Sequence, residues 1–348
     1  MFQEYLEKDL FMPANEKKVS IVMCTCNGEK YLKEQIESII NQTYPIYEFI
    51  IQDDCSTDHT IDILRYYEKK FSYIRIYQNE KQKGITVNFF SAIARTTGDY
   101  IALSDQDDIW ELNKIEMQIS YAEEYLLISC MSRPFASDIN AKVRFDERKI
   151  NTHLERVIYL NMLPGHTMLF RKSLIKKIPD AVYWDNIDCF SGCLYDHLIA
   201  MVAASANSII CIPQILVNHR RLINSRTYNE PLNFEKTFPN ILRFIGRTFS
   251  NYFKLRPVMR MYFATLYRYL EQIDFSTEEK QNAMTLAYYQ SKSSPIDYIS
   301  LTLLCIRLRK KLFYAEEKNP VLSTLRAVYF PISCSDYFRY LLNKQQGK

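Results

Sequence analysis

The sequence predicts an α/β fold, a mostly parallel sheet with helices on both faces, followed by a helical C-terminal region rich in basic and aromatic residues. Three observations lead there. Short apolar, β-rich runs alternate with stretches of helical spacing early in the chain, which is the pattern of βαβ units. Polar clusters follow three of those runs directly. The charge then changes sign along the chain: residues 231–348 carry 18 Lys and Arg against 9 Asp and Glu, the remainder 26 against 31.

The elements follow in order. Residues 19–24 (VSIVMC) form a strand that Thr25-Cys26-Asn27-Gly28 ends, because an Asn-Gly pair turns the chain. Tyr31, Leu32, Gln35, Ile36, Ile39 and Ile40 recur at helical spacing. Tyr47–Gln52 is a second strand, followed by the polar run Asp53–Asp58 and a helix that begins with Ile61, Leu64, Arg65 and Tyr67. Residues 73–77 (YIRIY) make a third strand, a helix runs from beyond Gly84 to Arg95, and Tyr100–Leu103 make a fourth. The uncharged run Ile199–Val217 holds Asn207, Pro213, Gln214 and several Ser, so it reads as a buried helix then a buried strand, not a membrane span. In parallel sheets ligands sit beyond the carboxyl ends of the strands, so Thr25–Glu29, Asp53–Asp58 and Asp105–Asp108 are expected on one rim.

Composition narrows the class. With 348 residues, 47% hydrophobic and 24% charged, the chain is globular and long enough for a sizeable core, and 7 Gly with 12 Pro exclude collagen-like or linker-dominated chains. Nine scattered cysteines without a CxxC pair give no zinc spacing; Cys24/Cys26 and Cys189/Cys193 lack nearby partners, and the thiols read as reduced in a cytoplasmic protein. The N-terminal MFQEYLEKDLF lacks a basic stretch followed by an apolar one, and the sequon at Asn41 is read as chance. No nucleic-acid module is recognisable. The acidic front suggests a cation site and the basic back an anionic surface.

Ser104-Asp105-Gln106-Asp107-Asp108 carries the chemistry. Carboxylates this dense repel unless a cation or donors neutralise them, and Asp105 and Asp107, two apart in extended backbone, point to one side. They suit one hard divalent ion, Mg²⁺ or Mn²⁺, whose other sites take water and substrate phosphates. The bland alternative is a solvated acidic turn, or a helix cap for the segment starting near Ile109. Of Asp53 and Asp54, one can accept hydrogen bonds from a base or ribose while the other caps the turn, as Ser56 and Asp58 can. Neither GxGxxG nor GxxxxGK[ST] is present, so a diphosphate here rests on a metal.

Three ordered motifs, SIVMCTCNGEKYLKEQIESIINQT, IIQDDCSTDHT and KGITVNFFSAIARTTGDYIALSDQDDIW, resemble the donor half of the family 2 glycosyltransferases, inverting enzymes of the GT-A fold. LSDQDDIW with Lys114 is similar to the rhamnosyltransferase-like branch. The resemblance implies Thr25 and Glu29 at the nucleotide edge, Asp54 at the base with Asp53 nearby, and Lys83, Gly84 and Asn88 bordering the nucleotide-sugar pocket. It also implies Asp105 and Asp107 as the metal-binding DxD, with Asp108 and Trp110 shaping the sugar site; Cys26 stands where many relatives carry Tyr. Asp196, opening the helix of LYDHLI, matches the catalytic base that deprotonates the incoming hydroxyl, with Asp185 and Asp188 in reserve. Gly165 and His166 lie in the acceptor-side segment PGHTMLF. In NHRRLIN, Leu222 occupies the place of a family His that helps bind metal or diphosphate; either His219 substitutes as ligand after a shift in register, or Arg220 and Arg221 neutralise the diphosphate alone.

The implied domains are an N-terminal extension (1–18), a donor half (19–115), an acceptor half (116–230) and the basic helical region (231–348). The implied donor is a UDP- or dTDP-sugar and the acceptor a polysaccharide or lipid-linked oligosaccharide. Two other readings stay open, a nucleotidyltransferase and a catalytically silent scaffold. In the tail, Phe234, Phe238, Ile241, Leu242, Phe244 and Ile245 near Arg243 and Arg247, and Ile306–Phe313, form basic amphipathic stretches. These either lie peripherally on the anionic cytoplasmic face of a membrane or pack on the domain.

Overall fold

The computed structural model describes residues 17–137, 150–179, 195–222, 238–313 and 319–338, with Val143 and Phe145. Asp185, Asp188, Cys189, Cys193 and Phe234 lie outside them, as do the side chains of Phe238, Ile241, Leu242 and Phe244.

Strand β1 (Val19–Thr25), helix α1 (Leu32–Ile40), β2 (Glu48–Asp53), α2 (Thr60–Lys70), β3 (Ile74–Gln78), α3 (Ile85–Ile93) and β4 (Tyr100–Ser104) alternate as the pattern predicts. All six residues of β2 are buried, the signature of a strand covered on both faces. At the sheet edge β3 buries Ile74 and Ile76 and exposes Arg75. Then come β5 (Ile109–Trp110), α4 (Lys114–Ile119), β6 (Leu127–Ala136), α5 (Leu154–Val157), β7 (Leu169–Arg171), α6 (Tyr195–Ser205) and β8 (Ile209–Arg221). The eight strands make one sheet in the order β3-β2-β1-β4-β7-β6-β8-β5. It is parallel through β3-β2-β1-β4; β7 then runs antiparallel to both β4 and β6, and β8 parallel to β6. The sheet is thus parallel in its first half and mixed beyond, because the chain leaves β4 through the acidic loop and lays β5 on distant β8.

Period-2 alternation sends side chains into two cores. Val19, Ile21 and Met23 join Leu32, Ile36 and Ile39 of α1 on one face. Val22, Ile50, Ile101 and Leu103 join Phe89, Leu154, Leu198 and Ile199 on the other. The second core continues into α7 (Phe238–Gln272), α8 (Glu278–Ser291), α9 (Pro295–Arg307), α10 (Arg309–Leu312) and α11 (Pro320–Ser333), through Met259, Phe263, Leu286, Cys305 and Phe330. Part of the aromatic load is spent here: the Tyr159 ring lies 5.2 Å from Phe263 and 4.8 Å from Phe330. Leu308 and Leu312 are buried and Ile306 and Phe313 pack on the same core, so the apolar side of residues 306–313 faces inward. No helix among the described residues is long and apolar enough to cross a membrane. The seven described cysteines are free thiols.

One buried charge ties the last helices to the sheet. The carboxylate of Glu155, fully buried on α5, accepts from Asn282 Nδ2 of α8 at 3.0 Å and lies 3.3 Å from Lys311 Nζ of α10. Removing the cation leaves a buried carboxylate under-compensated. Because Lys311 is a quarter exposed, the expected loss for Lys311→Met is about 2 kcal/mol, below that of a fully buried pair. Urea unfolding of the variant measures it.

Candidate active site

The loops after β1, β2 and β4 do meet on one rim, and short polar links hold them there. Gln106 clasps Cys26, accepting its amide at 2.8 Å and donating to its carbonyl at 3.1 Å. Asn27, at φ 51°, donates its amide to Ser56 Oγ and accepts the Thr57 amide, both at 2.8 Å. Gln106 and Asn27 were not singled out from the sequence; a polar residue between two aspartates, and the Asn of a turn, are the only traces they leave.

The expected nucleotide-side residues are gathered around this rim, where most hold backbone in place. Asp53 accepts from Thr25 Oγ1 at 2.8 Å and from the Ser56 amide at 2.9 Å, tying β1 to β2 and capping the turn. Asp54 accepts from Asn79 Nδ2, the Lys83 amide and the Gly84 amide at 2.7–2.9 Å, so it organises the loop before α3. Gly84 sits at φ 81°, the left-handed region that glycine adopts without strain. Asn88 is buried, accepting from Asn79 and donating to the Gln52 carbonyl. Glu29 accepts the His59 amide at 2.9 Å, and the Lys83 side chain is exposed. Trp110, expected to shape the sugar site, is buried, with the buried Lys114 ammonium 3.6 Å from its ring centroid. Burial draws Lys114 down to about 8, against the opposing pull of Cys130 and Asp108.

The densest chemistry forms where β5 pairs with β8, Ile109 opposite Asn218 and Trp110 opposite Val217. This register sets Asp108 beside the HRR run. Asp108 Oδ1 accepts from His219 Nδ1 and from the Arg220 amide, each at 3.0 Å. Asp108 Oδ2 is buried without a hydrogen bond, 3.4 Å from His166 Nδ1. That nitrogen is also 3.2 Å from Asp105 Oδ2, and His166 Nε2 is 3.0 Å from Ser132 Oγ. The two imidazoles stack with centroids 4.5 Å apart. Burial raises Asp107 to about 7, with Asp108 and Asp105 adding repulsion. Burial would raise Asp108 too, but His166, His219 and the Arg220 amide outweigh it and hold the group low. Burial opposes the charge on His166, yet Asp108 and Asp105 win and raise it.

Asp108, His166 and His219 place their ligand atoms within 4.8 Å of one another and could hold a metal ion. The residues fit a divalent cation: one orphaned carboxylate oxygen, two imidazoles, and Asp105 and Asp107 whose crowding a cation relieves. His219 stands where the sequence proposed a substitute for the residue at Leu222. Arg220 is engaged in structure, its Nε donating to the Asp107 carbonyl at 2.8 Å, its Nη2 meeting Glu34, and its plane lying over Tyr31 and Phe135. Arg221 Nη1 donates to His219 Nε2 at 3.1 Å.

Asp196, on the first turn of α6, comes to the same place. It accepts the His197 amide at 2.8 Å and the Gly165 amide, and burial lifts it to about 6, helped by Asp105. The Gly165 contact requires a glycine, since a Cβ there would meet Tyr195 Oη at 2.3 Å. Tyr195 in turn stacks on Phe89 of α3, centroids 3.8 Å apart.

Residues 20–179 match the family described as Glycosyl transferase family 2. The chain carries a family 2 glycosyltransferase domain. Over 106 residues it is 38% identical to the putative teichuronic acid biosynthesis glycosyltransferase TuaG of Bacillus subtilis (strain 168), covering 30% of this chain and 42% of that protein. Over 103 residues it is 38% identical to the UDP-Glc:alpha-D-GlcNAc-diphosphoundecaprenol beta-1,3-glucosyltransferase WfgD of Escherichia coli, covering 29% and 40%. The matched stretch thus spans about two fifths of the length of these curated relatives. The fold resembles that of S. aureus TarS 1–349 in complex with UDP-GlcNAc, with a TM-score of 0.54, 16% identity and 93% and 92% of the two chains covered. The GT-A fold implied by the motifs is the fold of this chain, with helices following β8.

Arg220 supports a specific expectation. A lysine cannot reproduce its fork of donors or its planar stacking. Arg220→Lys is expected to cost about 1–3 kcal/mol without any substrate present, read as a fall in melting temperature.

Proposed function

We propose that the chain is an inverting glycosyltransferase of cell-surface glycan biosynthesis, moving a sugar from a nucleoside-diphosphate donor to a hydroxyl of a polysaccharide or lipid-linked oligosaccharide. The observation that carries this reading is Asp196, a carboxylate lifted to about 6 and held by Gly165 within the field of Asp105 and His166. A base with that value is ionised at neutral pH yet still accepts a proton readily. The acceptor oxygen attacks the anomeric carbon, its proton passes to Asp196, and the bond to the diphosphate breaks. Of the UDP- and dTDP-sugar donors that the motifs imply, the likeness to WfgD, whose name carries UDP-Glc, and to TarS, solved in complex with UDP-GlcNAc, supports a UDP-sugar.

Asp105, Asp107, Asp108, His166 and His219 would hold the cation, which when bound supplies positive charge for the leaving diphosphate. Two imidazoles in the set favour Mn²⁺ over Mg²⁺, which prefers oxygen throughout. His166 Nδ1 faces the Asp105 and Asp108 carboxylates and so carries a proton that ligation would displace, while Nε2 faces Ser132. His219 currently donates from Nδ1, so ligation there requires its proton on Nε2 and Arg221 moved off that nitrogen, toward the diphosphate.

Asp196→Asn is expected to lower the transfer rate about 10²–10⁴-fold while donor binding persists. In the unsubstituted protein the base form is lost as pH falls through about 6. The rate should therefore drop roughly tenfold per pH unit below that point and level off above it; a profile flat from pH 5 to 8 would remove Asp196 from the role.

Thermal shift tests the cation separately. UDP-sugar with Mn²⁺ should raise the melting temperature more than UDP-sugar with EDTA, because a ligand that binds only the folded state stabilises it. Asp107→Ala and His219→Ala should erase that difference. Equal shifts with Mn²⁺ and EDTA in the unsubstituted protein would dismiss the metal.

A further inference from the structure

We propose that the outward face of α9 and α11, with the adjoining part of α7, docks on the surface of an anionic lipid bilayer. Ile296, Ile299 and Leu303 of α9 are 59–76% exposed, at i, i+3 and i+7. Val321, Leu325 and Val328 of α11 are 44–67% exposed, at i, i+4 and i+7. The two helices pack on each other and bury their opposite sides, Leu301, Leu304 and Cys305 on one and Ala327 and Phe330 on the other. Both stripes are therefore left outside a core that is already complete. Tyr329, next to Val328, lies 5.9 Å from the ring of Phe249, and Phe253, one turn on along α7, is 72% exposed. Eleven of the sixteen exposed large apolar side chains among the described residues belong to the C-terminal helices. Scattered apolar residues need no explanation, but stripes at helical spacing on adjacent helices mark an interaction surface.

Charge selects the occupant. Residues 292–338 carry Lys292, Arg307, Arg309, Lys310, Lys311, Lys318 and Arg326 against Asp297, Glu316, Glu317 and Asp336, and within the helices α9, α10 and α11 themselves Asp297 is the one carboxylate. Asp297 is turned to its own helix start, accepting the Ser294 hydroxyl at 2.8 Å. Lys311 belongs to the Glu155 network. Arg307 lies one turn beyond Leu303 and is exposed, although its Nη2 also donates to Asn282 Oδ1 at 3.3 Å, and Lys310 is exposed. An apolar stripe flanked by cations fits acyl chains beneath anionic headgroups. A second copy of the same face would instead oppose like charges. The surface is distinct from the Ile306–Phe313 stretch that the sequence suggested, whose apolar side belongs to the core.

Vesicle binding needs neither donor nor acceptor, so it succeeds or fails independently of the transferase reading. The full chain is co-sedimented with vesicles of phosphatidylcholine alone or mixed with phosphatidylglycerol. Binding should require phosphatidylglycerol and weaken with added salt. Combining Ile299→Asn, Leu303→Gln and Leu325→Gln should lower it about tenfold or more, with the melting temperature kept because all three sites are exposed. Arg307→Gln with Lys310→Gln should weaken it as well, and decides the matter if the apolar variant fails to fold. The proposal is overturned if the unsubstituted chain ignores anionic vesicles, if it binds both compositions equally, or if the folded variants bind as tightly. A concentration-dependent dimer that the apolar substitutions dissolve, without vesicle binding, would assign the face to a second copy instead.

Discussion

The site depends on a two-residue strand. Ile109 and Trp110 pair with Val217 and Asn218, and that short ladder brings the acidic loop after β4 to the basic end of β8. Without it Asp108 would have no His219 and no Arg220 amide, and a fully buried carboxylate would be left with His166 alone. Trp110 anchors the pairing from the core side, so its contribution to the rim is one of placement.

Crowded charge is then sorted by geometry. Asp107 and Asp108 are adjacent in sequence, yet one is pushed up to about 7 and the other held low. The difference is donors: Asp108 faces two imidazoles and an amide, while Asp107 has burial and like charge. Asp196, on a different element, is raised by the same burial and by Asp105. Three carboxyl groups in one field thus reach three protonation tendencies, the condition for dividing the work of holding a cation and accepting a proton.

The C-terminal helices are part of the same body of packing. Tyr262 and Tyr269 of α7 donate to the carbonyls of Ile158 and Leu198, so α7 braces α5 and the helix that carries Asp196. Their inward faces complete the second core and their outward faces keep apolar stripes that no described residue covers.

Strand and helix order through Ser104 was legible in the sequence because it rests on local periodicity, and β1 through β4 fall within a residue or two of the expected runs. The convergence of Thr25–Glu29, Asp53–Asp58 and Asp105–Asp108 was legible too, since parallel strands share a carboxyl-end rim. What periodicity could not show was partnership across long separations. That Asp54 would be occupied by the Lys83 and Gly84 amides, that Arg220 would brace Glu34 and the Asp107 carbonyl, and that His166 would stack on His219 all follow from loops and strands brought together by packing. The tail shows the same limit: composition announced its cations and aromatics, but which apolar side chains face inward was decided only when the helices packed, because an amphipathic pattern names a stripe and not the surface it meets.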